Sequence, residues 1–136
     1  PHMESLGGGS IINITSEGAK LPPPPGPDWQ LSAGRTYVGY GITKAALNRW
    51  VAGVAGELRL RNVAIVAVDP GRTVVERNIA NPIAGVDYST ANTPETTGRA
   101  VAFICRDAMA YTGTVVESKA LVDQHHLQMT GMTPRH

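Results

Sequence analysis

A chain of 136 residues, 42% hydrophobic and 17% charged, has the composition of one globular domain rather than of a disordered tract. Its formal net charge of +1, from twelve basic and eleven acidic residues scattered along the sequence, excludes a basic stripe for nucleic acid and a polybasic patch for lipid. No apolar run reaches the roughly 18 residues that would suggest a membrane span, so a soluble protein is expected. The single cysteine, Cys105, has no internal disulfide partner; within the apolar run "AVAFIC" it is expected to be an inert buried thiol, which fits a reducing cytoplasm.

In chain order, the residues before Met3 read as a cloning scar or as the cut end of something longer. Gly7 to Gly9 form a flexible lead-in, and "SIINIT", Ser10 to Thr15, has the β-branched apolar character of a strand buried on both faces. Residues 15–36 then form a long loop whose five prolines resist helix and give it a polyproline II core. Loops of that length are often functional, and Trp29 within it is a candidate cap over a substrate pocket or a loop-packing residue. A helix is expected from Tyr37 or Tyr40 to Leu60, with Leu47, Trp50, Val51, Val54 and Leu58 on one apolar face and thin Ala and Gly faces beside it. "NVAIVAVDPG" gives a second buried strand, Val63 to Val68, stopped by Pro70 and Gly71. Strand, helix and strand at this spacing make a βαβ crossover with parallel strands. After an irregular stretch from Val74 to Thr93, a helix runs to about Arg106, with Thr93 as N-cap, Pro94 at its first position and Glu95 at its positive end. "YTGTVVES" supplies a third strand, and the tail from Lys119 to His136 holds a short helix before fraying. The expected fold is α/β: part of a doubly wound parallel sheet, with about three strands and crossover helices.

In such sheets ligands bind beyond the carboxyl ends of the strands, where Ser16, the head of the Tyr40 helix, Pro70, Gly71 and Thr73 should gather. Tyr40 and Lys44 stand at i and i+4 and so share a helix face. An ammonium near a phenol favours the phenolate and makes it able to exchange a proton with a substrate oxygen, which a serine hydroxyl alongside could also hold. Tyr-x-x-x-Lys alone is common on exposed helices; its surroundings give it meaning. No Gly-x-Ser-x-Gly elbow surrounds Ser10 or Ser16, so serine hydrolysis is not expected. His125 and His126 are adjacent and diverge on a helix, so no metal site is expected there.

Taken in order, "GGGSIINITS", "YGITKAALNRW", "VAIVAVDPGRT" and "YTGTVVES" resemble the C-terminal half of the short-chain dehydrogenase/reductase family, and the match covers most of the segment from Gly7 to Glu117. The resemblance implies a Rossmann-like fold, an NAD or NADP cofactor, and hydride transfer between an alcohol and a carbonyl on a small-molecule substrate. It implies Tyr40 as general acid/base, Lys44 as holder of the nicotinamide-ribose hydroxyls, and Ser16 as the group that orients the substrate oxygen. Pro70, Gly71 and Thr73 would border the nicotinamide, and the Tyr40 to Leu60 helix would pack a homo-oligomer. The chain departs from the family pattern in the proline-rich insert between Ser16 and Tyr40, in Val66 for Asn, in Val75 for Thr, and in "ESKALVDQHH" for the usual ending. No Gly-rich turn follows a strand, so the pyrophosphate cradle of a G-x-G-x-x-G motif is missing. Residues 1–136 are therefore expected to be the C-terminal half of a single NAD(P)-binding domain, without the N-terminal cofactor-binding half. Alone, such a chain should not turn over NAD(P)H, and its first strand should present an open edge. The competing expectation is a non-catalytic scaffold that associates with another chain through that edge.

Overall fold

The structure, a computed structural model, describes residues 2–21, 38–82 and 88–128. The proline run, Trp29 and Tyr37 lie outside the described residues.

The fold is organised around β2 (Val63–Asp69), every residue of which is buried. Its short and β-branched side chains suit a strand covered on both faces. β1 (Gly9–Ile14) pairs with it in parallel, from Gly9 opposite Val63 to Ile14 opposite Val68. β3 (Val115–Glu117) pairs in parallel on the other side, Ala67 with Val115 and Asp69 with Glu117, giving the sheet order β1-β2-β3. Alternation along β2 then divides the core into two layers. Ile65 and Ala67 pack with Val51 and Ala55 of α2 (Val38–Arg59), joined by Ile11 of β1. Ala64, Val66 and Val68 pack on the opposite face with Ala100 and Ile104 of α4 (Pro94–Ile104) and with Leu121 and Val122 of α5 (Ser118–Gln124). A parallel sheet with helices on both faces is part of a doubly wound, Rossmann-like arrangement, as the sequence leads one to expect.

Several local expectations are corrected. β1 is not buried on both faces; it is half-exposed, and Ile14 is 44% exposed. The reason is positional: among the described residues nothing pairs with its outer edge. Gly8 and Gly9 are not a loose lead-in, since their N–H groups donate to the Met3 and Asn62 carbonyls at 2.9 and 3.1 Å, behind a short α1 (His2–Ser5). Trp50 leaves the expected apolar face of α2 and is 48% exposed. It lies about 100° of helix rotation from Val51, which faces the sheet. The inward stripe is instead Lys44, Leu47, Asn48, Val51, Ala55 and Leu58, all buried or half-buried. The stretch expected to be irregular contains α3 (Glu76–Ala80).

Thr93 stands at the N-cap of α4, but its hydroxyl faces the Thr96 hydroxyl at 3.4 Å instead of capping a backbone N–H. α4 ends at Ile104, and Cys105 at its C-cap is exposed, not buried. An apolar run does not bury a residue where the helix leaves the sheet. Among the described residues no helix is long and apolar enough to cross a membrane.

Candidate active site

All three strands point their carboxyl ends to the same rim of the sheet, because they are parallel. At the end of β1 the chain passes through Thr15 into a 3-10 turn, Glu17–Ala19, with Ser16 as its N-cap. The Ser16 hydroxyl accepts a hydrogen bond from the Gly18 N–H at 3.1 Å. This turn seats against the head of α2 through two glycines. A Cβ on Gly18 would lie 3.3 Å from Cε1 of Tyr40 and 3.5 Å from Oγ of Ser16, so Gly18 separates those two groups by no more than its own bare backbone. A Cβ on Gly41 would lie 2.9 Å from the Gly18 carbonyl oxygen, closer than side chains tolerate. Gly41 needs glycine for this close approach, and a side chain at Gly18 would press on the Tyr40 ring.

One turn along α2 from Tyr40, Lys44 reaches back to the sheet. Its Nζ donates to the Ile14 carbonyl at 2.8 Å and lies 5.7 Å from the centroid of the Tyr40 ring, within cation–π range. The carbonyl belongs to the last residue of β1, so this bond ties the helix head to the strand end. Tyr40 is 49% exposed, and its phenol is not sealed among aliphatic neighbours. Ser16, Tyr40 and Lys44 therefore meet at one corner. Among the described residues, three buried polar atoms make no hydrogen bond: Asn13 Nδ2 of β1, Thr15 Oγ1 just after it, and Asn48 Oδ1 of α2.

At the end of β2, Pro70 and Gly71 turn the chain outward. Gly71 has φ +63°, a conformation that L side chains rarely adopt, and Asp69 Oδ1 accepts from its N–H at 2.9 Å. Thr73 donates its hydroxyl to the Pro70 carbonyl at 3.2 Å, and so serves the turn itself. The brace that sequence reasoning missed is Asn92. Its Nδ2 donates to the Pro70 carbonyl at 2.9 Å, its N–H to Arg72 at 2.7 Å, and its carbonyl accepts from Val74 at 2.9 Å. Lying in a segment without periodicity, far from the turn in sequence, Asn92 gave no local signal. Ser118, fully buried, donates to the Asp69 carbonyl at 2.7 Å and fixes the strand end from the α5 side.

Between the Ser16 turn and the Pro70-Gly71 turn lies a cleft of about 200 Å³. Glu17 and Lys20 form one wall and Gly71 and Arg72 the other. Of the residues expected at the site, Gly71 lines this cleft among the described residues, and Ser16, Tyr40, Lys44, Pro70 and Thr73 do not. Among the described residues no cluster of His, Cys, Asp or Glu could hold a metal ion.

No family model matches the chain. A curated 7alpha-hydroxysteroid dehydrogenase from Clostridium sardiniense is 27% identical over 126 residues, which is 86% of this chain but 44% of that protein. A solved 7 alpha-hydroxysteroid dehydrogenase, in complex with NADH and 7-oxo glycochenodeoxycholic acid, superposes with a TM-score of 0.69 at 22% identity, over 88% of this chain and 46% of its own. A solved short chain dehydrogenase/reductase family protein gives a TM-score of 0.62 at 28% identity, over 88% of this chain and 48% of its own. The chain thus spans about half the length of the relatives it matches, and over that half it is similar, in sequence and in fold, to the short-chain dehydrogenase/reductase proteins.

Proposed function

We propose that the intact protein is an NAD(P)-dependent oxidoreductase that interconverts an alcohol and a carbonyl, and that this chain carries its acid/base corner. The observation that carries the reading is the meeting of Ser16, Tyr40 and Lys44 at the carboxyl end of β1, with Lys44 anchored to Ile14 and set over the Tyr40 ring. The relatives are dehydrogenases, and one neighbour is described with NADH bound.

The residues present suit the nicotinamide end of such a cofactor. An ammonium has three N–H donors, of which Lys44 spends one on Ile14, so ribose hydroxyls can take the others. At Gly71 a Cβ would lie 2.9 Å from Asn92 Nδ2, so glycine is what lets the Asn92 brace seat against the turn that would border the nicotinamide. When bound, the cofactor supplies the hydride donor or acceptor. The chain's own residues handle the proton. The Tyr40 hydroxyl gives a proton to the carbonyl oxygen, or takes one from the alcohol. The Ser16 hydroxyl donates to the same oxygen and holds it in line. Lys44 ties the head of α2 to the end of β1 and so keeps Tyr40 in place.

We assign residues 1–136 to the C-terminal half of one NAD(P)-binding domain, working in a reducing cytoplasm. The other half would pair with the outer edge of β1 and bring the pyrophosphate site. Val38, Ile42 and Trp50, exposed along α2, support association with a further copy. Sedimentation and cofactor titration test the assignment. The intact protein is expected to bind NADH or NADPH and to show cofactor-linked turnover. An obligate oligomer that ignores both cofactors would favour the competing reading, a scaffold that uses the open β1 edge for another chain.

Gly41→Ala gives a sharper check of the corner. Alanine is favoured over glycine in a helix by about 0.5–1 kcal/mol, a gain that the contact with the Gly18 backbone opposes, so stability should change little or fall. The new methyl would press on the Gly18 carbonyl and displace the turn that carries Ser16. Turnover of the intact protein is expected to fall on the order of tenfold or more, as small misplacements of reacting groups do. Steady-state kinetics beside a urea melt would separate the two effects.

A further inference from the structure

We infer that Asn92 is a positioning residue for the cofactor: it sets where the Pro70-Gly71 turn lies, and so how closely that turn borders a nicotinamide ring. The inference rests on the oxidoreductase reading and deepens it with a residue that the sequence pattern does not mark.

Two bonds hold the turn from within: Asp69 Oδ1 accepts from the Gly71 N–H at 2.9 Å, and the Thr73 hydroxyl donates to the Pro70 carbonyl at 3.2 Å. Bonds so short in sequence give a turn its shape but move with it. Asn92 is different, because it stands 22 residues beyond Pro70 and directly before Thr93, the N-cap of α4. Through Ala100 and Ile104, α4 packs with Val66 and Val68 of β2. A bond from Asn92 therefore fixes the turn to the sheet and helix framework.

The bonds fall on alternate residues of the segment. Asn92 Nδ2 donates to the Pro70 carbonyl at 2.9 Å, its N–H to the Arg72 carbonyl at 2.7 Å, and its own carbonyl accepts from the Val74 N–H at 2.9 Å. The two main-chain bonds make a parallel bridge between Thr73 and Asn92. Any residue but proline could form those two; the bond to Pro70 needs a side-chain donor. It also has the most leverage. The Pro70 carbonyl lies in the rigid peptide plane that enters Gly71, so holding that oxygen orients the plane. Gly71 then continues at φ +63°, with the Asn92 amide against its bare Cα. Aspartate at position 92 would keep the size of the side chain and exchange the donor for an acceptor. Its carboxylate would face the Pro70 carbonyl oxygen and push the turn away.

The test compares ligands that differ only in the ring. NADH and NADPH, and the same molecules without nicotinamide, ADP-ribose and its 2′-phosphate, are titrated calorimetrically into the intact protein and into Asn92→Asp. The dissociation constant of the cofactor that the parent binds should rise about tenfold or more in the variant, as for one hydrogen bond left unmade, while its ring-free counterpart stays within about twofold. A general loss of structure would weaken both alike. Asn92→Ala removes the donor without adding charge and should shift the same ligand in the same direction by less, which keeps the comparison readable if the aspartate variant does not fold. Equal weakening of both ligands, or unchanged cofactor binding in the folded variants, overturns the inference and leaves the oxidoreductase reading standing. A parent protein that binds neither NADH nor NADPH removes that reading, and the inference with it.

Discussion

Tyr40→Phe in the intact protein is expected to lower turnover by about 10²–10⁴, the usual contribution of a positioned acid or base, with little change in folding. The substitution isolates the proton step because it removes a single oxygen. The ring's contact with Gly18 and its place beneath the Lys44 ammonium both involve ring atoms, and phenylalanine keeps them. Tyr40 is also half-exposed, so losing its hydroxyl leaves no buried partner unpaired. Steady-state kinetics at saturating cofactor, with circular dichroism as the control for fold, make the comparison. Turnover within a few-fold of the parent would show that the proton moves through some other group.

A comparably large effect, on stability, is expected for Ile65→Ala. Ile65 is fully buried and packs between β2 and α2 against Val51 and Ala55. Its N–H donates to the Thr112 hydroxyl at 3.0 Å, and its carbonyl accepts from the Gly113 N–H at 2.8 Å. Those bonds belong to the backbone and survive the substitution, so the loss comes from removed methyl groups and the cavity they leave. Such truncations cost about 2–5 kcal/mol. Domains are typically stable by only about 5–15 kcal/mol, so a third or more of the total could disappear. Urea unfolding at fixed m-value measures it. A change under about 1 kcal/mol would mean that the α2 layer closes over the gap and that Ile65 is not a keystone of this face.

What could be read from the sequence, and what could not, follows from where the information lies. β2 was legible because a run of short and β-branched residues bounded by Pro-Gly has few other uses. The parallel pairing followed from the helix between the first two strands. Tyr40 and Lys44 were legible as neighbours because helical spacing is local. Three things were not local. Burial of β1 depends on which chain lies along its outer edge, and the residues that form β1 say nothing of that. Trp50 reads as core by hydrophobicity, but its angle on the helix relative to the sheet decides its exposure. Asn92 braces the Pro70 turn from a segment with no periodic signal, and its partners are backbone groups, which carry no residue-specific mark. Cys105 misled for a related reason: its neighbours in sequence are apolar, but its place at the helix end is set by where α4 stops.

The three silent polar atoms carry a last consequence. A buried group without a partner forgoes about 1–3 kcal/mol that water would restore, and Asn13, Thr15 and Asn48 each hold one such atom, at the end of β1 and in α2. Solvent entering there would pair all three while Val51 and Ala55 stay packed on Ile65, so α2 should loosen at its head and not along its length. The half of α2 that carries Tyr40 and Lys44 holds none of that helix's buried side chains, which are Val51 and Ala55.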